Sequence, residues 1–252
     1  MVQICALASG SNGNCYYIGN EEEAILVDIG ISNAQLIKRL NEADLSLSKI
    51  KALFVTHEHT DHIKGMRVVT NKHNIKAYAT EKTWEQSRMD FRSTRVNTFT
   101  PGDTISVGSI KIHSFSKKHD AIDPVSFRVE IDGISVAVLT DLGVANEEIT
   151  EHLKLCDAAF LESNYEPQIL ETGRYPVFLK RRVASDTGHL SNNQAFELVK
   201  SLNGSPLKTI FLSHISKDNN DLEIAMETFK SLQEKICIEL TSRETISRVV
   251  EI

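Results

Sequence analysis

Apolar residues arrive early in short blocks. Val2 to Leu7, Cys15 to Ile18, Ala24 to Val27 and Ala52 to Thr56 are each of strand length and are separated by Gly, Asn, Ser and acidic residues. Between the third and fourth blocks the spacing becomes helical: Ser32 and Gln35 form a capping-box pattern, followed by Ala34, Leu36, Ile37 and Leu40 on one face. From residue 95 to 139 strict alternation takes over, with turns at Pro101-Gly102 and Val107-Gly108 and a hairpin signal at Asp132-Gly133, which predicts a meander of antiparallel strands. Helical patterns return at Asn146 to Leu155, Ser191 to Leu202 and Asp221 to Leu232, alternating with strands at Ala158 to Leu161 and Thr209 to Leu212. The chain therefore reads as α/β, of the α+β type, in which two sheets each covered by helices would hide all the apolar faces. No long linker or internal repeat interrupts the pattern, so residues 1–252 are expected to form a single domain.

Composition narrows the class. A chain of 252 residues with 41% hydrophobic and 25% charged side chains excludes fibrous and largely disordered readings. Its longest apolar stretches, such as Ile134 to Leu139, fall far short of the roughly 20 residues of a membrane-spanning helix. The first ten residues lack a charged leader followed by a long apolar region, so a first strand and a cytoplasmic protein are expected. The four cysteines, Cys5, Cys15, Cys156 and Cys237, have no CxxC spacing and read as reduced thiols. Net charge is −6, yet residues 63–130 carry 12 Lys or Arg against 7 Asp or Glu. One basic segment sits on an acidic protein, a pattern that solvated faces alone could also produce.

The chemistry concentrates where the strand ending at Thr56 runs into His57, Glu58, His59, Thr60, Asp61 and His62. Isolated histidines such as His73, His113 and His152 read as ordinary surface or core residues. Three imidazoles and two acids within six residues do not, because they would repel or desolvate one another, whereas divalent metals take this mixed ligand set. Neighbouring side chains in so short a loop point in divergent directions, so two ions suit it better than one. Further ligands are expected at other strand ends, where loops gather into a site: His119, Asp141, His214 and Asp28 each follow such a strand.

The HxHxDH motif at 57–62, with Asp28 before it and His119, Asp141 and His214 after it in order, resembles the metallo-β-lactamase superfamily over nearly the whole chain. The resemblance implies a four-layer αββα sandwich holding two divalent ions per chain, zinc first, with manganese or iron as alternatives. It implies that His57, His59 and His119 hold one ion, that Asp61, His62 and His214 hold the other, and that Asp141 bridges them. Asp28 would orient the metal loop through hydrogen bonds. Glu58 and Thr60 receive no role. A cysteine at the place of Asp141 would mark true lactamases, and a glutamate at His59 the diiron oxygen reductases; this chain has neither. His189, just ahead of the capping box Ser191 to Gln194, is similar in spacing to a histidine of ribonuclease Z that a glutamate supports, and Glu162 stands at the matching place. The interval from Asp141 to His214 is 73 residues, too short for the additional domain of larger nucleases of this fold. Segments 7–17, 162–165, 172–176, 179–182 and 188–192 resemble the compact YycJ/VicX (WalJ) group, which implies 5′-to-3′ DNA exonuclease activity in repair or replication.

In that reading two ions activate a water and clamp the oxygens of an in-line phosphoryl displacement. Asp61 belongs with the catalytic residues, and His189, held by Glu162, would protonate the leaving oxygen. Lys117, Lys118, Lys180, Arg181 and Arg182 are candidate phosphate contacts. DNA would be the substrate, with no membrane partner; the oligomeric state stays open. Two alternatives stand beside the exonuclease: a hydrolase of a small thioester or cyclic phosphodiester, and a metal-binding regulatory module without turnover. A closed pocket would favour the small ester, an open groove flanked by the basic residues a polymer.

Overall fold

The computed structural model describes residues 1–89 and 96–252. The first half runs β1 (Gln3–Ala8), β2 (Cys15–Gly19), β3 (Ala24–Val27), α1 (Asn33–Glu42), β4 (Ile50–Phe54), α2 (Thr60–Ile63), α3 (Met66–His73), β5 (Lys76–Thr80), α4 (Glu81–Ser87) and β6 (Val96–Phe99). The second runs β7 (Thr104–Val107), β8 (Ile110–Ser116), β9 (Val125–Ile131), β10 (Ile134–Leu139), α5 (Glu147–Lys154), β11 (Ala158–Glu162), α6 (Pro167–Thr172), α7 (Val177–Val183), α8 (Asn192–Lys200), β12 (Thr209–Ser213), α9 (Leu222–Thr228), β13 (Cys237–Leu240) and β14 (Val250–Glu251). Among the described residues the strands form two seven-stranded sheets, ordered β14-β1-β2-β3-β4-β5-β6 and β13-β12-β11-β10-β9-β8-β7.

Strand parity explains the layering. In β1, Ile4 and Ala6 face the space between the sheets, while Cys5 and Leu7 face a helix-covered outer layer. In β10, Val136 and Val138 enter the same central space, while Ala137 and Leu139 turn to the opposite outer layer. Three apolar cores result, one between the sheets and one under the helices on each side, so the architecture is the αββα sandwich. Leu36, Leu40, Met66 and Val69 close the first outer core from α1 and α3; Ile149, Leu153, Ala195 and Leu198 close the other from α5 and α8. Both predicted capping boxes are formed, at Ser32 with Gln35 and at Ser191 with Gln194.

Two expectations need correction. The meander expected from residue 95 onward begins outside the described residues, and Val96–Phe99 does not belong to it: β6 pairs parallel with β5 in the first sheet. Helix α4 lies between the two strands, and a crossover of that kind returns the chain parallel. The turn at Pro101-Gly102 then carries the chain to the second sheet, where β7 to β10 form the antiparallel meander. The helix expected from Asp221 to Leu232 breaks at Phe229 into α9 and one 3-10 turn, Lys230–Leu232. Among the described residues no helix is long and apolar enough to cross a membrane.

Candidate metal centre

The parallel strands of both sheets deliver their carboxyl ends to one edge of the sandwich. Asp28 follows β3, His57 follows β4, His119 follows β8, Asp141 follows β10, Glu162 ends β11 and His214 follows β12. Asp28, Asp141 and His214 adopt left-handed backbone conformations, with φ of 60°, 53° and 54°. Non-glycine residues rarely do so, and strain of this kind persists where the surroundings enforce it.

The histidine loop is pinned by backbone contacts from two other segments. The amide of Asn14 donates to the Asp61 carbonyl at 2.8 Å, and that of Ile29 donates to the His62 carbonyl at 2.8 Å. Gly30 passes so close that a Cβ there would lie 1.6 Å from the Asp61 carbonyl oxygen, so only glycine fits. Within the loop, Asp28 Oδ2 accepts from His62 Nδ1 at 2.7 Å, and Asp28 Oδ1 accepts from the Thr56 amide at 2.8 Å. His62 is thereby turned so that Nε2 points across the interlayer gap, 3.0 Å from Asp141 Oδ2 and 3.5 Å from Asp61 Oδ2.

Ligand-type atoms converge in overlapping groups. His57, His59 and His119 bring one atom each within 4.8 Å of one another, and so do His57, His62 and Asp141, and Asp61, His62 and His214. A further quartet joins Asp141, Glu162, His189 and His214. Among the described residues, His119 Nε2 and His214 Nε2 are buried without a hydrogen-bond partner, and Asp141 Oδ2 faces His62 Nε2 between them. Orphaned imidazole nitrogens around one buried carboxylate are costly unless something occupies the space between them, and the nitrogen and carboxylate donors suit a divalent cation. These residues could hold metal.

Electrostatics follow the same design. Burial and the neighbouring His62 charge hold His57 well below its ordinary pKa, so it is a neutral base. Burial opposes ionisation of Asp141, yet His214 and His62 beside it hold the carboxyl well below its usual range. Glu162 is likewise buried, and His189 and His214 bring it down to about 2. As an ionised acceptor, its Oε1 takes hydrogen bonds from His189 Nδ1 at 2.8 Å and His214 Nδ1 at 2.9 Å, and its Oε2 from the amides of Leu142 at 2.6 Å and Leu190 at 3.2 Å. Burial opposes the charged form of His189, and Glu162 overcomes it, raising His189 to about 9. His189 lines a cavity of about 260 Å³ together with Tyr175, Leu179, Arg182, Ser216 and Asp120.

The basic residues separate. Lys117 turns inward: it is buried, and its Nζ donates to the Thr140 carbonyl at 2.6 Å, so the expectation that it contacts phosphate is corrected. Lys118 and Arg181 are exposed. Arg182 lines the cavity and donates from Nε to Asp120 Oδ2 at 2.5 Å, while Lys180 is tied to the Glu171 carbonyl. Several residues that sequence reasoning passed over also shape the site. Asn14 Nδ2 stands 3.0 Å from His62 Nε2, Ser9 Oγ accepts from the His214 amide at 2.7 Å, and Thr56 Oγ1 lies 2.9 Å from His57 Nδ1. Glu58, given no role, accepts from the Ile122 amide at 2.9 Å and so holds the loop after His119. The signal for Asn14 and Ser9 was present in the Gly/Ser/Asn-rich stretch 9–14, and that for Glu58 in its place inside the motif.

The sequence model for the β-lactamase superfamily domain matches residues 23–215. The chain is 36% identical over 235 residues to the exodeoxyribonuclease YycJ of Bacillus anthracis, covering 91% of this chain and 88% of that one. It is also 36% identical over 229 residues to the exodeoxyribonuclease WalJ of Streptococcus pneumoniae, with 88% and 84% coverage. The metallo-β-lactamase fold protein YhfI of Bacillus subtilis superposes with a TM-score of 0.76 over 100% of both chains, at 15% identity, a likeness of fold.

Proposed function

This chain belongs to the β-lactamase superfamily, and on that premise we propose that residues 1–252 act as one cytoplasmic, metal-dependent phosphodiesterase that degrades DNA from a strand end in the 5′-to-3′ direction. The observation that carries the reading is the His189–Glu162 pair, 2.8 Å apart, beside Asp141, which His62, His119 and His214 approach at 3.0, 3.7 and 3.3 Å. A merely structural metal site has no use for a supported histidine on a cavity wall. The 36% identity to two exodeoxyribonucleases over about nine-tenths of the chain supports DNA as the substrate over a small thioester.

In this reading His57, His59 and His119 would hold one divalent ion and Asp61, His62 and His214 the other, with Asp141 available to either; zinc is the first candidate, and manganese or iron would accept the same donors. When bound, such ions activate water and neutralise charge on phosphoryl oxygens. Asp28 locks the tautomer of His62. Glu162 fixes the protons of His189 and His214 on Nδ1, which leaves His214 Nε2 as a lone-pair donor and His189 Nε2 as the atom available to the cavity. From there His189 protonates the departing sugar oxygen. Arg182 and Arg181 meet the phosphates of the strand.

The test is metal-loaded protein on end-labelled oligonucleotides and on a nitrophenyl phosphodiester. DNA should shorten progressively from its 5′ end. The His189→Ala variant should keep its metal and lose on the order of 100- to 10,000-fold on DNA, with much less effect on the nitrophenyl ester, whose leaving group needs little protonation. Ester hydrolysis with DNA left at full length would refute the nuclease reading. Metal loss in the variant would refute the acid role.

A further inference from the structure

Helix α7 is an anomaly of the fold: none of its residues is buried, and Val177 and Phe178 are 63% and 68% exposed. Among the described residues, Phe178 is the one phenyl ring among the large hydrophobic side chains left in water. The helix is nevertheless held firmly against the site. Arg182 Nε donates to Asp120, whose other oxygen lies 3.3 Å from His119 Nε2, and the His189 amide donates to the Val183 carbonyl at 2.9 Å. Gly188 packs so tightly beneath it that a Cβ would lie 2.2 Å from the Arg182 carbonyl oxygen.

Phe178 therefore has a fixed place on a helix that borders the cavity. It does not itself line the cavity, but it is one turn before Arg182, which does, and next in sequence to Leu179, which does also. Lys180, Arg181 and Arg182 fill the last turn of the same helix. Packing gives no reason to keep a phenyl ring in water next to a guanidinium cluster, whereas an unpaired nucleic acid strand presents both a base face to stack and a phosphate to neutralise. A cavity of about 260 Å³ has room for a nucleotide and not for a paired duplex.

We propose that Phe178 is a substrate-binding residue that stacks a base of the unpaired DNA strand at the mouth of the site, while Arg181 and Arg182 meet the adjacent phosphates. The inference rests on the nuclease reading and adds to it the form of DNA that is engaged. The occupant is a single strand, chosen over a protein partner because the exposed ring stands one turn from Arg181 and Arg182, and Arg182 lines the same cavity as His189.

Metal-loaded wild type, Phe178→Ala and Phe178→Trp are compared on a single-stranded oligonucleotide carrying 2-aminopurine near its end and on bis(4-nitrophenyl) phosphate. Loss of a stacked base should cost Phe178→Ala roughly 5- to 150-fold in kcat/KM on the oligonucleotide, carried mainly by KM. Phe178→Trp should restore it, the small ester should be cleaved unchanged by all three, and quenching of 2-aminopurine on binding should vanish only in the alanine variant. DNA cleavage indifferent to Phe178→Ala overturns the proposal, as does a tryptophan variant no better than alanine. Equal slowing of the small ester overturns it too, by placing the effect in the site. Dissociation of a wild-type dimer by Phe178→Ala with KM unchanged would assign the ring to self-association. Wild type that cleaves the ester and no DNA fails the nuclease reading itself, a result distinct from any of these.

Discussion

Glu162→Gln is the sharpest single perturbation of the proposed machinery, because the carboxylate is buried and its two oxygens accept from four donors: two imidazole Nδ1 atoms on one side and two backbone amides on the other. Glutamine keeps the shape and replaces one acceptor with a donor. If its NH2 faces Leu142 and Leu190, two buried amides lose their acceptor at about 1–3 kcal/mol each, a large share of the roughly 5–15 kcal/mol that holds a domain folded. If it faces the imidazoles, His189 and His214 must move their protons from Nδ1 to Nε2. The second arrangement is the cheaper, since imidazoles can exchange tautomers and backbone amides cannot. His214 then presents a proton where a ligand lone pair is required, and metal affinity should fall about 10- to 100-fold, the usual cost of losing such a supporting partner. The assay is elemental analysis after equilibration against graded chelator, with Tm measured in parallel. Tighter retention of one equivalent than of the other is expected, because only the group containing His214 is touched. A variant that keeps wild-type metal affinity, stability and DNA cleavage would refute the claim that Glu162 sets these tautomers.

Asp141→Ala removes the carboxylate approached by His62, His119 and His214, so metal content should fall and DNA cleavage should be lost; full occupancy with unchanged activity would overturn the shared role. His152, remote from the site and stacked on Phe115, is lowered to about 4 from 6.5 by burial and then by Arg128 and His113, with Glu130 paired to both of those residues. A depressed histidine means that the unfolded chain binds the extra proton. Its share of stability is whole above pH 6.5 and is lost as pH falls towards 4. His152→Gln should flatten Tm against pH in that window relative to wild type, and parallel curves would refute the assignment.

The site was legible wherever a residue type at a strand end has no other sensible use. Three imidazoles in six positions declare themselves, and His119, Asp141 and His214 each follow a run of apolar residues that had to be a buried strand. Direction was harder to read than position. Lys117 looked like a surface cation because charge was considered without parity, yet the alternation of β8 runs on past its last residue: Phe115, Lys117 and His119 are buried while Ser116, Lys118 and Asp120 are exposed. The lysine two residues before an inward histidine faces inward as well. β6 was misplaced for a related reason, since period-2 alternation reports burial but not the partner strand, and α4, which makes the connection parallel, carries only two buried residues, Thr83 and Trp84. Helix α7 escaped periodicity altogether because it buries nothing.

The left-handed backbone at Asp28, Asp141 and His214 could not have been read from residue type, because glycine would be the economical choice at each strand end. A side chain that must reach into the interlayer gap excludes glycine, so the fold carries the strain and the ladder of flanking hydrogen bonds holds it: Asp28 by the Phe54 carbonyl at 2.7 Å, His214 by Ser9 Oγ at 2.7 Å. Local preference fails at the positions where chemistry overrides it, and two of these three are residues to which the proposal gives a metal.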